Sequence, residues 1–307
     1  MSGLAIFRRA GQSLIGLVGV VVLVFVLVRV TGDPAYLMLP EDATEQQRQE
    51  YRERQGLDRP IPVQLAIYVG NILQGDFGTS SRRQEPAIDA VMRAFPVTLK
   101  LAGVTLVVAL GISLVVGSLA AYWRDSPVDR LATFLSLFAA SAPDFWIAIS
   151  GIFIFSVALG WLPTSGMGPS IAFWILPVAT LALRITGVLT QVVRSAMLSA
   201  LQSAYIKTAR AKGILERNII FVHALRNAAL PIVTVAGDQL AGIINGAVIV
   251  ETVFGWPGIG KVTIDSITER DFSVVQAAVI VTGIAIFFMN LLIDFIYMAL
   301  DPRLRTA

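Results

Sequence analysis

Six apolar runs punctuate the chain, near residues 11–30, 97–122, 131–158, 171–190, 229–250 and 276–299, with polar stretches between them. A hydrocarbon core about 30 Å thick takes ~20 apolar helical residues to cross, so each run is long enough to span a bilayer. The pattern predicts an all-α integral membrane protein with six transmembrane helices. The first run follows Arg8 and Arg9 as a secretory signal would, yet its apolar part, residues 14–28, is long for one. No small-x-small cleavage site precedes Asp33 and Pro34, so the run reads as a retained first helix.

The polar stretch 31–96 interleaves acids with arginines. Within it, TEQQRQEYRERQG predicts an exposed helix capped by Thr44, supported by charges spaced for i,i+4 pairs and stopped at Gly56. Arg59-Pro60-Ile61-Pro62 then favours extended backbone, and 63–74 reads as a second, amphipathic helix. The stretch has too few apolar residues for a deep core of its own. Three regions follow: 1–30 with the first span, an extracytoplasmic helical region at 31–96, and a five-helix part at 97–307 that contains a hairpin at 194–228.

Composition agrees with the pattern: 55% of residues are hydrophobic and 15% charged, far from a soluble domain. Zero cysteines exclude disulfides and thiolate sites, and the single histidine, His223, cannot build a histidine metal cluster. The net charge of +3 points to topology rather than nucleic acid, because the basic residues gather in particular loops. Arg8, Arg9, Arg124, Arg130, the 191–228 loop, Arg303 and Arg305 all fall on one side, while 159–170 is uncharged and 251–275 is mostly acidic. The positive-inside rule then places both termini in the cytoplasm.

The 191–228 loop carries the densest information. Lys207, Arg210, Lys212, Arg217 and Arg226 alternate with Ile206, Ala209, Ile214, Ile219, Ile220, Phe221 and Leu225, with Glu216 as the acid among them. Residues 194–212 lack internal Gly and Pro, so the fourth span is expected to continue as a helix that stops at Gly213. A left-handed corner there, a second short helix at 214–224 and Pro231 in the first turn of the fifth span complete a stiff knob. Such a knob suits a partner protein on the membrane surface.

Aligned on Gly213, this loop resembles the cytoplasmic E-A-A-x3-G-x9-I-x-L-P loop of the membrane subunits of ATP-binding cassette (ABC) importers. Ala209, Gly213 and Leu225 match the general pattern. Thr208-Ala209-Arg210-Ala211-Lys212-Gly213 and His223-Ala224-Leu225-Arg226-Asn227-Ala228 are similar to the dipeptide/oligopeptide/nickel permease variant, without a gap. Similar strings recur along the chain: Gly32-Asp33-Pro34, Gly56-Leu57-Asp58-Arg59-Pro60, Gly75-Asp76-Phe77-Gly78, Pro96-Val97-Thr98-Leu99, and Val253-Phe254-Gly255-Trp256-Pro257-Gly258-Ile259-Gly260. Arg270-Asp271-Phe272 and Leu300-Asp301-Pro302-Arg303 close the set, with Ser273 where relatives often carry Pro.

The resemblance implies a type I ABC importer permease (MetI-like) fold in the inner membrane. It implies a second, paralogous permease in a heterodimer, two ATP-binding cassette ATPase subunits and an extracytoplasmic substrate-binding protein. ATP and Mg belong to the ATPase partners, and this chain binds no cofactor. Peptides are the implied cargo, with nickel chelates, glutathione or sugars as alternatives. The implied coupling set is Lys207, Thr208, Ala209, Arg210, Ala211, Lys212, Gly213, Glu216, Arg217, His223, Leu225, Arg226 and Asn227. Within it, Ala209 and Gly213 are expected to permit close approach, and Arg210, Arg217 and Arg226 to form ion pairs. His223 is read either as a proton sensor or as a hydrogen-bonding residue of the hairpin.

Polar residues inside the apolar runs are the remaining candidates, since a charge at a helix centre costs about 2.5–3.5 kcal/mol on the insertion scale. Asp144, Asp238, Gln239 and Asn245 either line a translocation path or hold helices together. Arg184 and Asp294 are expected to snorkel to the cytoplasmic edge. Pro143 should bend the third span beside Asp144. Gly242 and Gly246 form G-x-x-x-G, for an interface or for internal packing. The near phosphate-loop Gly255-Trp256-Pro257-Gly258-Ile259-Gly260-Lys261-Val262 fails: Val262 replaces the hydroxyl, and Pro257 removes a backbone donor. A membrane-embedded enzyme would need acid or metal-ligand clusters that the loops do not offer, and a scaffold would not need a stiff knob.

Overall fold

The computed structural model describes residues 3–31, 33, 35, 36, 39 and 42–300, without the side chains at 3–10, 12, 13, 31, 55, 245, 246, 294 and 297–300. Arg8, Arg9, Asn245, Gly246 and Asp294 as side chains, with Gly32, Pro34, Arg305 and the 301–303 end of the last motif, therefore lie outside the described residues.

Among the described residues the long elements are all helices: α1 Gly3–Thr31, α2 Glu45–Gln55, α3 Ile61–Leu73, α4 Ala87–Tyr122, α5 Pro127–Ser141 and α6 Asp144–Gly151. They continue with α7 Ala172–Leu201, α8 Ala204–Ala211, the single turn α9 Glu216–Asn218, α10 Leu225–Val253, α11 Ile259–Thr268 and α12 Phe272–Leu300. Stretches of π-helix at Ile152–Ala158 and Ile219–Ala224 extend α6 and join α9 to α10.

Four helical segments are long and apolar enough to cross a bilayer: Ala87–Tyr122, Ala172–Leu201, Glu216–Ile244 and Phe272–Ile293. Leu14–Val30 in α1 is a further, shorter apolar stretch. The expected third span departs from the sequence reading. Its two limbs, Pro127–Ser141 and Asp144–Ala158, meet at 100°, so the pair makes a fifth crossing only if the two are counted as one broken span. Pro143 has no N–H to continue the ladder, and Ala142 before it is extended (φ −74°, ψ 130°), which is the conformation proline imposes on its predecessor. The bend was legible, whereas its size was not.

The described chain divides into two compact units: residues 99–256 with the segment from 292, and residues 3–98 with 257–291. In the first unit α7 is the central helix, packing against α5, α6 and α10. Gly187 sets the α5–α7 approach, because a Cβ there would stand 2.7 Å from the Ala140 nitrogen and closer still to the Ser136 carbonyl oxygen. Asp129 at the start of α5 is buried and receives Arg194 of α7 through two bonds of 2.5 and 2.8 Å, plus the Asp125 amide at 2.9 Å. Nothing in the sequence marked this pair, whose members lie 65 residues apart. Phe254 and Trp256 are buried around the Gly255 turn, and Trp256 meets Trp174 edge to face at 4.8 Å between centroids.

In the second unit, α2 opens with the expected capping box, Thr44 and Gln47 bonding each other's backbone, and ends at a left-handed Gly56. α3 begins at Ile61 rather than 63, since proline is tolerated in the first turn. Several motif strings meet here. Thr98 caps the amide of Ile259 at 2.9 Å, Ser80 donates to the buried Asp271, and a Cβ on Gly78 would reach the Ser273 hydroxyl at 3.3 Å. Asp271 also receives the Val274 amide and so caps α12.

Candidate functional site

The hairpin differs from the sequence expectation in three respects. The fourth span does not run on to Gly213: α7 ends at Leu201, Gln202 and Ser203 form a break, and α8 restarts at Ala204. The second arm is not a separate short helix. One turn, Glu216–Asn218, passes through the π-helical Ile219–Ala224 directly into α10. Pro231 therefore lies inside a continuous helix rather than in its first turn.

The corner itself is as expected. Gly213 has φ +76°, its amide bonds the Arg210 carbonyl at 3.0 Å, and the Ile214 amide bonds the Ala209 carbonyl at 3.2 Å. These two bonds form a Schellman motif that satisfies the last carbonyls of α8. A Cβ on Gly213 would meet nothing within 4 Å among the described residues, so within this chain the glycine serves backbone conformation. Gly213→Val keeps that space open and forces a β-branched residue left-handed, at a cost of about 1–2 kcal/mol. The expected result is a hairpin more open to proteolysis at the corner, with unchanged membrane insertion, measured by limited proteolysis of the detergent-solubilised protein.

The two arms are tied twice. Outside, Arg210 grips Glu216 across the corner with Nε–Oε1 at 2.8 Å and Nη2–Oε2 at 3.3 Å. This bond holds the Arg210 guanidinium above its ordinary pKa. Arg210, expected to form an ion pair, forms this one within the hairpin; Arg217 and Arg226 are exposed. Inside, Ile206, Ala209, Ile219, Ile220 and Ala224 join Ala121, Val193, Met197, Ala200, Ala228 and Ile232 in one apolar core. Ala209, only 8% exposed, is a core residue rather than a point of outward contact. The knob is welded to the roots of α4, α7 and α10.

What remains outward is an apolar crest in a basic setting. Leu215, next but one after Gly213, is 72% exposed, Val222 is 55% exposed, and Tyr205 and Phe221 flank them. Lys207, Thr208, Ala211, Lys212 and Asn227 are also exposed, and Leu225 is half-buried. The His223 ring makes no hydrogen bond among the described residues; its backbone carbonyl accepts from Asn227 Nδ2 at 2.9 Å. Of the crest apolars, Phe221 and Val222 lie on the π-helical stretch, where the register, not a 3.6-residue period, decides which side chains face out, whereas Leu215 and Tyr205 lie outside it. Large exposed apolar side chains on the same hairpin as exposed cations are the materials of a docking surface.

The intramembrane candidates lie on two helices, Asp144 on α6 and Asp238 and Gln239 on α10. Asp144, at the start of α6, lies 3.6 Å from Arg184 in the middle of α7, which replaces the expected snorkelling of Arg184. That distance exceeds a hydrogen bond, and the buried Asp144 Oδ1 has no hydrogen-bond partner. Asp238 is exposed and Gln239 half-buried on α10. Gly242 meets no neighbour within 4 Å, whereas Gly237 packs against Ile293. No group of three or more His, Cys, Asp or Glu stands close enough to hold a metal among the described residues.

Comparison with known proteins places this geometry. Residues 113–306 match the family "Binding-protein-dependent transport system inner membrane component", and residues 4–102 match the N-terminal model of the same membrane component. The oligopeptide transport system permease protein AppB of Bacillus subtilis is 38% identical over 311 residues, covering 98% of each chain. The glutathione transport system permease protein GsiC of Salmonella typhimurium is 38% identical over 287 residues, covering 93% of this chain and 94% of its own. A putative peptide transport system permease protein of Brucella abortus is 36% identical over 308 residues, covering 98% of each.

Among solved structures, the inward-facing MetNI methionine ABC transporter aligns with a TM-score of 0.60 at 18% identity, over 69% of this chain and 96% of that one. An amino acid ABC transporter with histidines gives a TM-score of 0.53 at 15% identity, over 69% and 94%. These two share the fold. With nearly the whole chain matched, from its first helix to its end, the protein belongs to the binding-protein-dependent transport system inner membrane components and is a permease subunit of an ABC importer, not an enzyme.

Proposed function

We propose that the hairpin 204–224 is the coupling element, seated on a cytoplasmic ATPase, and that both termini share its side of the membrane. The observation that carries this reading is the pairing of an exposed Leu215 crest with a buried root in the bundle core. A crest without that root would move freely, and a root without the crest would have nothing to grip. In this reading ATP binding closes two ATPase subunits, the hairpins follow, and the spans exchange inward-facing for outward-facing states. A second permease, a paralogue, supplies the other half of the path, and an extracytoplasmic binding protein delivers cargo.

The cargo is a short peptide. Relatives named for oligopeptides, glutathione and peptides support the class, glutathione being itself a modified tripeptide. Asp144 and Arg184, a charge pair with unused hydrogen-bonding capacity inside apolar helices, are the polar groups best suited to face that cargo. Asp238, Gln239 and Asn245 stand as further path candidates on α10.

The test is co-purification from the native membrane followed by reconstitution. An ATPase pair, a second permease and a peptide-loaded binding protein are expected, with peptide uptake requiring ATP. Purification as a lone chain that moves peptide without ATP would overturn the reading. Single cysteines add the topology, since the chain has none of its own. A cysteine at 212 is expected to label from the ATPase side, and one at 258 from the opposite side.

A further inference from the structure

Within the unit formed by 3–98 and 257–291, the end of α1, helices α2 and α3, the loop 75–78 and Gln276 of α12 line a cavity of about 60 Å³ that is open to solvent on the side of the exposed Asp76. That is room for roughly four waters or one solute end group of five or six heavy atoms. Coupling makes no use of it. Arg29, Tyr51, Tyr68 and Asp76 line it, together with Gln64 and Asn71.

The arrangement of these groups is unusual. Arg29 spends Nε on Gln64 Oε1 at 2.9 Å and Nη1 on the Phe25 carbonyl at 3.1 Å, and its guanidinium lies 3.4 Å over the Phe25 ring. These contacts fix the guanidinium and leave Nη2 uncommitted. Asp76 uses Oδ1 on the Gly78 amide at 2.9 Å and leaves Oδ2 uncommitted. Both residues line one cavity, yet Arg29 and Asp76 form no ion pair with each other or with any described residue. The Tyr68 hydroxyl is buried and has no hydrogen-bond partner among the described residues. Burial pushes the Tyr51 hydroxyl up to about 12, with Asp76 adding to the rise, so it too remains a protonated donor at neutral pH.

Three donors and one carboxylate oxygen thus surround a space the size of an amino-acid head group. A buried hydroxyl without a partner is costly, so something polar is expected to satisfy it. Water would serve the hydroxyl alone. A cation and an anion held apart across one cavity ask for a ligand that carries both charges.

We propose that this cavity is a binding site for a small zwitterion, an α-amino acid or the end of a short peptide. Its carboxylate lies toward Arg29 and the two tyrosine hydroxyls, and its ammonium toward Asp76. The site is separate from the coupling hairpin and stands whatever the cargo proves to be.

The test uses the transporter complex in lipid nanodiscs, without its binding protein, titrated with glycine, alanine and dialanine while thermal unfolding is followed. Acetate and methylammonium serve as single-charge probes. A saturable rise in unfolding temperature with the zwitterions is expected, absent with either single-charge probe. Tyr68→Phe removes only an unpartnered hydroxyl, so ligand-free stability is expected to stay level or rise, while half-saturation moves at least tenfold higher. Arg29→Gln is expected to abolish the response. No saturable response in the wild type, an equal response in Tyr68→Phe, or an equal effect of acetate alone would overturn the proposal; the last outcome would make it a simple anion site.

Discussion

Replacing Leu215 with aspartate is expected to abolish ATP-driven uptake and to release the ATPase from the purified complex, while leaving the permease folded. Burying a leucine side chain in a partner is worth about 1.5–3 kcal/mol. Aspartate forfeits that gain and adds the cost of desolvating a carboxylate. A combined loss above about 3 kcal/mol corresponds to docking weakened more than a hundredfold. Because Leu215 belongs to the exposed crest and not to the buried cluster of Ile206, Ile219 and Ala224, thermal unfolding of the permease alone is expected to match the wild type. Leu215→Ala should fall between the two, at about a tenfold loss. Retention of the ATPase and full uptake by the aspartate variant would remove the crest from the coupling mechanism.

Gly187→Leu is expected to cost the protein its fold. At this position the neighbours are backbone atoms of α5, so nothing flexible is available to move aside. Overpacking a tight core by a few methylenes costs about 1–3 kcal/mol when side chains can shift, and more when a helix must be pushed away. The displaced helix carries Asp129, so its grip on Arg194 would open at the same time and leave a charge poorly compensated. The measurable outcome is a severalfold fall in membrane abundance and a lower unfolding temperature in detergent. Gly242→Ala provides the control: open space surrounds that position, and alanine in a helix is favoured by about 1 kcal/mol over glycine. Unchanged abundance of the leucine variant would mean that α5 and α7 are not held as close as described.

These two glycines illustrate what the chain disclosed before its structure and what it did not. Gly242 attracted notice as half of a G-x-x-x-G pattern, yet Gly187, with no pattern around it, is the one pressed against another helix. Spacing reports which residues share a face, but not what lies opposite that face. For the same reason the apolar spans, the Thr44 cap, the Gly56 stop and the Gly213 corner were legible, being local properties of a few adjacent residues. Asp129 with Arg194, and Asp144 with Arg184, unite residues far apart in the chain and left no local trace. The hairpin fell between these cases. Its corner was visible, but its outward side chains were not, because a π-helical arm moves Val222 and Phe221 off the register that an α-helix would assign them.

The break at Gln202 and Ser203 makes the two arms of the hairpin mechanically unequal. From Glu216 to Val253 the chain stays helical, a rod of roughly 55 Å at 1.5 Å per residue. Tilting a straight rod of that length by about 5° at one end displaces the other by about 5 Å, less any bend taken up at the π-helical turn and Pro231. The arm that arrives from α7 is interrupted at Gln202 and Ser203 and meets its span through the apolar core that Ile206 and Ala209 share with Val193 and Met197. Movement at the crest thereby reaches α10 along the backbone and α7 through packed side chains, so two adjacent helices take up one push by different routes.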